Sequence, residues 1–95
     1  MIITSKDVFL FANHCIKVQK ENITNFKKWI KDPKLPRNKK KELRVEIKRA
    51  EEKIDYLENT KSIVIALYQK QNKILKITEE DRLNFKEKYK LGDDD

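Results

Sequence analysis

The chain has 95 residues, of which 41% are charged and 38% are hydrophobic, and its formal net charge at pH 7 is +7. A chain of this length forms one domain at most, so we predict a single domain over residues 1–95. One glycine and two prolines supply too few turn residues for a multi-stranded sheet, which excludes most β folds and favours long helices.

Cys15 is the only cysteine, so no intramolecular disulfide can form, and this usage is typical of a reducing compartment. Asn13 and His14 interrupt the apolar run near the start, unlike the continuous apolar region of a secretory signal. No segment approaches the roughly 18 apolar residues that a membrane span needs. These observations predict a cytoplasmic protein without a membrane partner.

The first predicted element is a helix over residues 5–31. Ser5 is a suitable N-cap, and Asp7 lies in the first turn, where the helix dipole favours an acid. Pro33 ends the helix, because the residue before a proline leaves helical space. Apolar residues at helical spacing predict one buried stripe along this helix. Its members are Val8, Phe11, Ala12, Cys15, Ile16, Val18, Ile23, Phe26, Trp29 and Ile30.

A heptad pattern over residues 38–76 predicts a second helix that packs against the first as an antiparallel hairpin with coiled-coil-like contacts. Its start falls near Pro36 to Asn38, since Pro suits the first turn of a helix and Asn suits the cap. The spacing of the seam alternates between four and three residues. The seam comprises Leu43, Ile47, Ala50, Ile54, Leu57, Lys61, Val64, Tyr68, Gln71 and Leu75.

Residues 58–61 include weak helix formers and leave two models open for the second helix. In the first model the helix runs unbroken across them. In the second model Asn59 caps a new helix, and the chain folds back into a compact bundle. The unbroken helix is favoured, because the heptad register continues across the segment and no Gly or Pro interrupts it.

A second apolar row on the opposite face of the second helix comprises Tyr56, Ile63, Leu67 and Ile74. A helix that is apolar on two faces must be covered on both. We therefore predict that this row is a partner interface in a homodimer or with a partner protein, unless the last helix covers it.

The third predicted element is a short helix over residues 79–91, which completes an all-α fold. Thr78 is a suitable N-cap and is followed by three acidic residues in the first turn. Gly92 is expected to take the left-handed conformation that commonly ends a helix. Residues 92–95 are predicted to be a frayed tail.

The sequence contains no motif that performs catalysis. His14 and Cys15 are adjacent, so on a helix they point about 100° apart and cannot converge on a zinc ion or act as a catalytic pair. Gly92 is the only glycine, so no glycine loop can cradle a phosphate. We predict a protein that is not an enzyme and that has no metal, no cofactor and no small-molecule substrate.

The positive charge is concentrated in residues 27–44, hereafter the basic tip. Nine basic residues stand there against Asp32 and Glu42, which gives the tip the entire net charge of the chain, +7. Such a surface attracts phosphates without reading base sequence. The predicted nucleic-acid-binding residues are Lys27, Lys28, Lys31, Lys34, Arg37, Lys39, Lys40, Lys41 and Arg44.

Other interpretations of the tip stay open. The lysines also fit the codon usage of an AT-rich genome, a solvated turn, or a surface for a partner's acidic face. Trp29 either belongs to the core or stacks on a base. The favoured hypothesis is an accessory or regulatory protein of bacterial or phage type that associates with nucleic acid without sequence preference. The alternative is an adaptor or inhibitor that docks through residues 56–75.

Overall fold

The computed structural model describes residues 2–91. Within this range the chain is all-α and contains no strand. Its three helices are α1 (Ser5–Ile30), α2 (Arg37–Lys70) and α3 (Glu79–Tyr89). α1 and α2 pack against each other extensively, whereas α3 contacts α1 over a smaller area. The predicted all-α helical hairpin with a short third helix is confirmed.

The N-cap of α1 is Thr4, one residue before the predicted cap. Thr4 Oγ1 accepts a hydrogen bond from the Asp7 amide, and Asp7 Oδ2 accepts one from the Thr4 amide, both at 3.1 Å. These reciprocal bonds form a capping box, which needs an acidic or amide side chain three residues after the cap. Only Thr4 has Asp7 at that spacing, so Ser5 is the first helical residue and not the cap.

α2 is a single helix of 34 residues that crosses the segment 58–61 without interruption. Thr60 Oγ1 donates to the Tyr56 carbonyl oxygen at 3.0 Å, so this poor helix former bonds within the helix and does not cap a new one. The unbroken model is therefore confirmed, and the predicted alternative of a break at Asn59 is wrong.

α2 ends at Lys70, six residues before the predicted end. Asn72 takes a left-handed conformation with φ 56°. Its amide and the next one donate to the carbonyls of Gln69 and Tyr68, both at 2.9 Å. These two bonds are those of a Schellman motif, in which Asn is the usual substitute for Gly. The heptad seam therefore stops at Tyr68, and Leu75 lies beyond the helix.

The heptad seam on α2 is confirmed over the length of the helix. Ala50 and Val64 are buried, and the other predicted members from Leu43 to Tyr68 are partly buried. Lys61 lies within the seam with its Nζ 5.2 Å from the centre of the Phe9 ring. Its methylene stem thus covers apolar surface while the ammonium faces an aromatic ring.

The predicted stripe on α1 is only partly buried. Ala12 and Ile16 are buried against α2, but Leu10, which was not predicted to be in the stripe, is 7% exposed. Leu10 borders a groove together with Phe85 of α3, so α1 is covered on two faces. The members of the stripe that are more than a third exposed are Val8 (38%), Phe11 (42%), Val18 (37%) and Trp29 (51%).

α3 is joined to α1 through the carboxylates of two capping boxes. Asp7 and Asp81 are the N3 residues of α1 and α3. Lys88 Nζ of α3 lies 2.6 Å from Asp7 Oδ2, and Lys6 Nζ of α1 lies 3.1 Å from Asp81 Oδ2. Each carboxylate therefore caps its own helix and also binds a lysine of the other helix.

Aromatic contacts complete the docking of α3. The Phe11 ring meets Phe85 edge to face at 5.7 Å and Tyr89 at 5.5 Å between ring centres. Tyr89 Oη donates to Asp7 Oδ2 at 3.3 Å. Edge-to-face pairs are favourable beyond the area they bury, so α3 is held although Phe85 is its one buried residue.

α3 ends at Tyr89, two residues before the predicted end. Lys90 takes the left-handed conformation that ends the helix, with φ 54°. The Leu91 amide donates to the Lys86 carbonyl at 2.9 Å and closes the helix end. Gly92 and the predicted frayed tail lie outside the described residues.

The ion pair between Asp7 and Lys88 shifts the pKa of both groups. Burial alone would raise the pKa of Asp7, but hydrogen bonds from Lys88, the Thr4 amide and Tyr89 together lower it below its usual 3.8. The hydrogen bond to Asp7 raises the pKa of Lys88 above its usual 10.5. The stability from Asp7 is present above its unfolded pKa and is lost as pH falls through the lower folded value. The stability from Lys88 is present below 10.5 and is lost as pH rises through its higher folded value.

Thr60→Pro tests the continuity of α2. We expect it to lower the free energy of unfolding by about 3 kcal/mol or more, because proline in a helix interior removes one hydrogen bond and clashes with the preceding turn. Lys76→Pro, beyond the end of α2, is the control and should cost much less. Urea unfolding followed by circular dichroism measures the free energy of unfolding of both variants. An equal decrease in both would contradict a helix that continues through Thr60 and ends before Lys76.

Asp7→Asn tests the docking of α3. We expect the variant to melt below wild type between about pH 5 and pH 9, because both members of the ion pair are charged there. The difference should shrink as pH falls below 3.8 and Asp7 of the wild type takes up a proton. Melting curves at a series of pH values measure this difference. A difference that stays constant down to pH 2 would show that the charge of Asp7 is not what holds α3.

Candidate nucleic-acid interface

The basic tip is the end of the hairpin at which α1 passes into α2. Asp32 organises the connecting turn, since its Oδ1 accepts a hydrogen bond from the Lys34 amide at 2.9 Å. Its carbonyl oxygen accepts another from the Leu35 amide at 3.2 Å. One of the two acidic side chains of the tip is thus bonded to the backbone, as Asp often is in turns.

The structure brings all nine predicted basic residues to this end of the hairpin. Eight of them are exposed, and Lys40 is partly buried. The basic groups come from two helix ends and a turn, so they surround the end of the molecule instead of lining one helix face. Lys27 and Lys28 lie in the last turn of α1, Lys31 is its C-cap, Lys34 is in the turn, and Arg37, Lys39, Lys40, Lys41 and Arg44 belong to α2.

Ion pairing neutralises little of this charge. Lys39 Nζ lies 3.4 Å from Glu42 Oε2, and both side chains are more than half exposed. Exposed pairs of this kind are weak, because water and salt screen them and ordering the side chains costs entropy. The +7 charge of the tip already subtracts both of its acids, so this pair leaves the net charge unchanged.

The tip holds the start of α2 and the end of α1, so the positive end of one helix dipole lies near the negative end of the other. Pro36 occupies the N-cap position, no side chain caps the helix, and its first turn contains no acidic residue. Asn38, which was expected to be a suitable cap, lies inside the helix. The first amide groups of a helix lack intrahelical partners and carry the positive end of the helix dipole. The amides at the start of α2 can therefore donate hydrogen bonds to an anion that also contacts the neighbouring basic side chains.

Trp29 adds an aromatic surface to the tip. It is 51% exposed, so it does not belong to the core. Its ring centre lies 5.7 Å from that of Phe26, and the ring planes are inclined by 55°. Phe26 is partly buried, so of the two neighbouring rings it is Phe26 that faces the core. Helical spacing alone could not distinguish the two residues, because both fall on the predicted stripe.

The predicted partner-interface row is left exposed. Tyr56, Ile63 and Leu67 of α2 are 72%, 53% and 50% exposed, and Ile74, beyond the end of α2, is 81% exposed. α3 packs on α1 and does not cover this row. Tyr56 also borders an apolar groove of about 320 Å³ between α1 and α2, which is lined by Val8, Phe11, Leu57 and Thr60 among others.

Comparisons with protein-family models, curated proteins and solved structures found no match for this chain. Among residues 2–91, no group of three or more His, Cys, Asp or Glu side chains could hold a metal ion. Over the same residues, no helix combines the length and apolar character needed to cross a membrane. Function is therefore inferred from the charge, exposure and geometry of the described residues.

Proposed function

We propose that the protein binds nucleic acid through the basic tip, without reading base sequence, as an accessory or regulatory protein and not as an enzyme. The observation that carries this proposal is the concentration of the whole net charge, +7, at one exposed end of the hairpin. Contacts between basic side chains and phosphates supply affinity and orientation but carry no sequence information. A cytoplasmic location is part of the same proposal.

The spacing of the basic residues suits a phosphate backbone. Arg37, Lys41 and Arg44 follow one another along a face of α2 at intervals of four and three residues. At 1.5 Å per residue they span roughly 10 Å, which matches the rise of about three nucleotides along one strand. Together with Lys34 in the turn, they give a footprint of about four phosphates.

Codon usage in an AT-rich genome accounts less well for this arrangement. Codon bias would distribute lysine along the chain with no regard to the acids beside it. Outside residues 27–44 the basic and acidic residues balance, whereas inside this range nine basic residues face two acids. The imbalance coincides with the turn of the hairpin, where both helices contribute to one surface.

A salt titration of binding tests this proposal. Fluorescence anisotropy with a labelled oligonucleotide should show binding at low salt, and log K should fall with log salt at a slope of roughly −3 to −4 if about four phosphates are contacted. Replacing Lys39, Lys40 and Lys41 together by Ser should flatten the slope. The melting temperature should stay within a few degrees of wild type, since these side chains lie outside the core.

The matched control replaces Lys53, Lys70 and Lys73 by Ser, which removes the same charge from exposed positions away from the tip. This control should keep the slope of the wild type. Equal effects of the two triple variants would show that net charge, and not the tip, drives binding. No binding by the wild type at low salt would contradict the proposed function.

The exposed row supports a second proposal, that residues 56–75 form an interface with a second copy of the chain. An adaptor or inhibitor, which would dock an unlike protein on this face, is the alternative if the chain does not dimerise. The residues outside the basic tip carry no net charge, so two copies can join their α2 faces while the charged tips stay apart. A chain of 95 residues also gains buried area by forming a symmetric dimer.

Leu67→Glu tests whether residues 56–75 form an interface with a second copy of the chain. Light scattering at increasing protein concentration should show a dimer for the wild type and a monomer for the variant, because a charge in an apolar interface is costly unless it is paired. Gln69→Glu changes the charge by the same amount at an exposed position on another face of α2; it is the control and should remain dimeric. A wild type that stays monomeric throughout would rule out the second copy and leave this face to an unlike partner protein.

A further inference from the structure

Trp29 is a half-exposed aromatic residue inside the basic tip. It is the only tryptophan in the chain, and half of its surface is open to solvent. Its position in the last turn of α1 places it inside the segment that carries the net charge of the protein. A large aromatic ring held in water beside basic groups is the combination with which proteins grip unpaired bases and the backbone that links them.

The ring of Trp29 belongs to a helix and not to a loop. Its centre lies 5.7 Å from that of the partly buried Phe26 ring, so one side of it packs against the protein. A surface that is already ordered loses less entropy when a ligand binds. Lys28 and Lys31 lie within one turn of Trp29, at positions rotated from it by about 100° or more, so it is their long side chains that can reach the phosphates of a strand stacked on the ring.

We propose that Trp29 is a base-stacking residue and that the preferred ligand of the basic tip is therefore single-stranded nucleic acid rather than duplex. This inference rests on the proposed function, since stacking is placed beside phosphate contacts at the same tip. In a duplex the faces of the bases are covered by their neighbours, and the tip reaches only phosphates. In a single strand the faces are accessible, and every base offers one, so stacking adds affinity without adding sequence preference.

Three probes separate stacking from phosphate contacts. They are an oligothymidylate of about twelve nucleotides, within the usual site size of a single-strand-binding domain, an abasic strand of the same length, and a duplex of the same length. Fluorescence of Trp29 reports contact with a base directly, because no other tryptophan contributes. Affinity is measured in parallel by anisotropy at a fixed low salt concentration.

We expect oligothymidylate to quench the emission of Trp29 and to bind roughly tenfold more tightly than the abasic strand, as one stacked base would give. The abasic strand and the duplex should bind through the basic residues and leave the emission unchanged. Trp29→Leu should remove the tenfold advantage of oligothymidylate and leave binding to the other two probes as it was. Trp29→Phe, which keeps an aromatic ring, should retain most of the advantage.

Four results would overturn the inference. Equal binding of oligothymidylate and the abasic strand without quenching would show that Trp29 does not stack, while the proposed function would stand. Equal weakening of all three probes by Trp29→Leu would assign Trp29 a structural role. A shift of the emission with protein concentration in the absence of nucleic acid would place Trp29 in a contact between copies. No binding of any probe at low salt would reject the inference and the proposed function together.

Discussion

The packing of α1 against α2 along one seam is the interaction on which the rest of the structure depends. Ala12 and Ile16 of α1 and Ala50 and Val64 of α2 are each at most 5% exposed, and burial of such apolar surface is the main favourable contribution to folding. Alanines at two of these positions let the helices approach closely. The seam fixes which residues reach each end of the hairpin, and it thereby positions both the basic tip and the docking site of α3.

The two ends of the hairpin differ in how far their charged side chains are paired. At the end that holds α3, carboxylates and lysines are paired across helices, as Asp7 is with Lys88 and Asp81 with Lys6. At the tip, the lysines and arginines greatly outnumber the acids, and Asp32 is bonded to the backbone of the turn. The paired charges at the α3 end stabilise the fold, whereas the tip has only two acids for nine basic residues and cannot pair its charges in the same way. This contrast supports a binding role at the tip.

The sequence predicted the hairpin well because its strongest signal, the alternating four-three spacing of α2, is also the contact that organises the fold. The prediction was wrong where a local backbone conformation overrides the apolar pattern. In the sequence the heptad spacing continues through Gln71 and Leu75, but in the structure Asn72 adopts a left-handed conformation and ends the helix. The predicted stripe on α1 omitted Leu10. The helical spacing of apolar residues identifies one buried face, and it cannot show that α3 covers a second face and buries Leu10. At the tip, charge was readable from composition, but the exposure of Trp29 required the structure.

We propose that one end of the hairpin binds nucleic acid while the seam and α3 serve only the fold. Chemical-shift mapping tests it most directly, by titrating the isotope-labelled protein with a short oligonucleotide and following every backbone amide. We expect perturbations confined to residues 27–44, which include the amides at the start of α2. Perturbations centred on Tyr56, Ile63 and Leu67, or none at all at low salt, would contradict it.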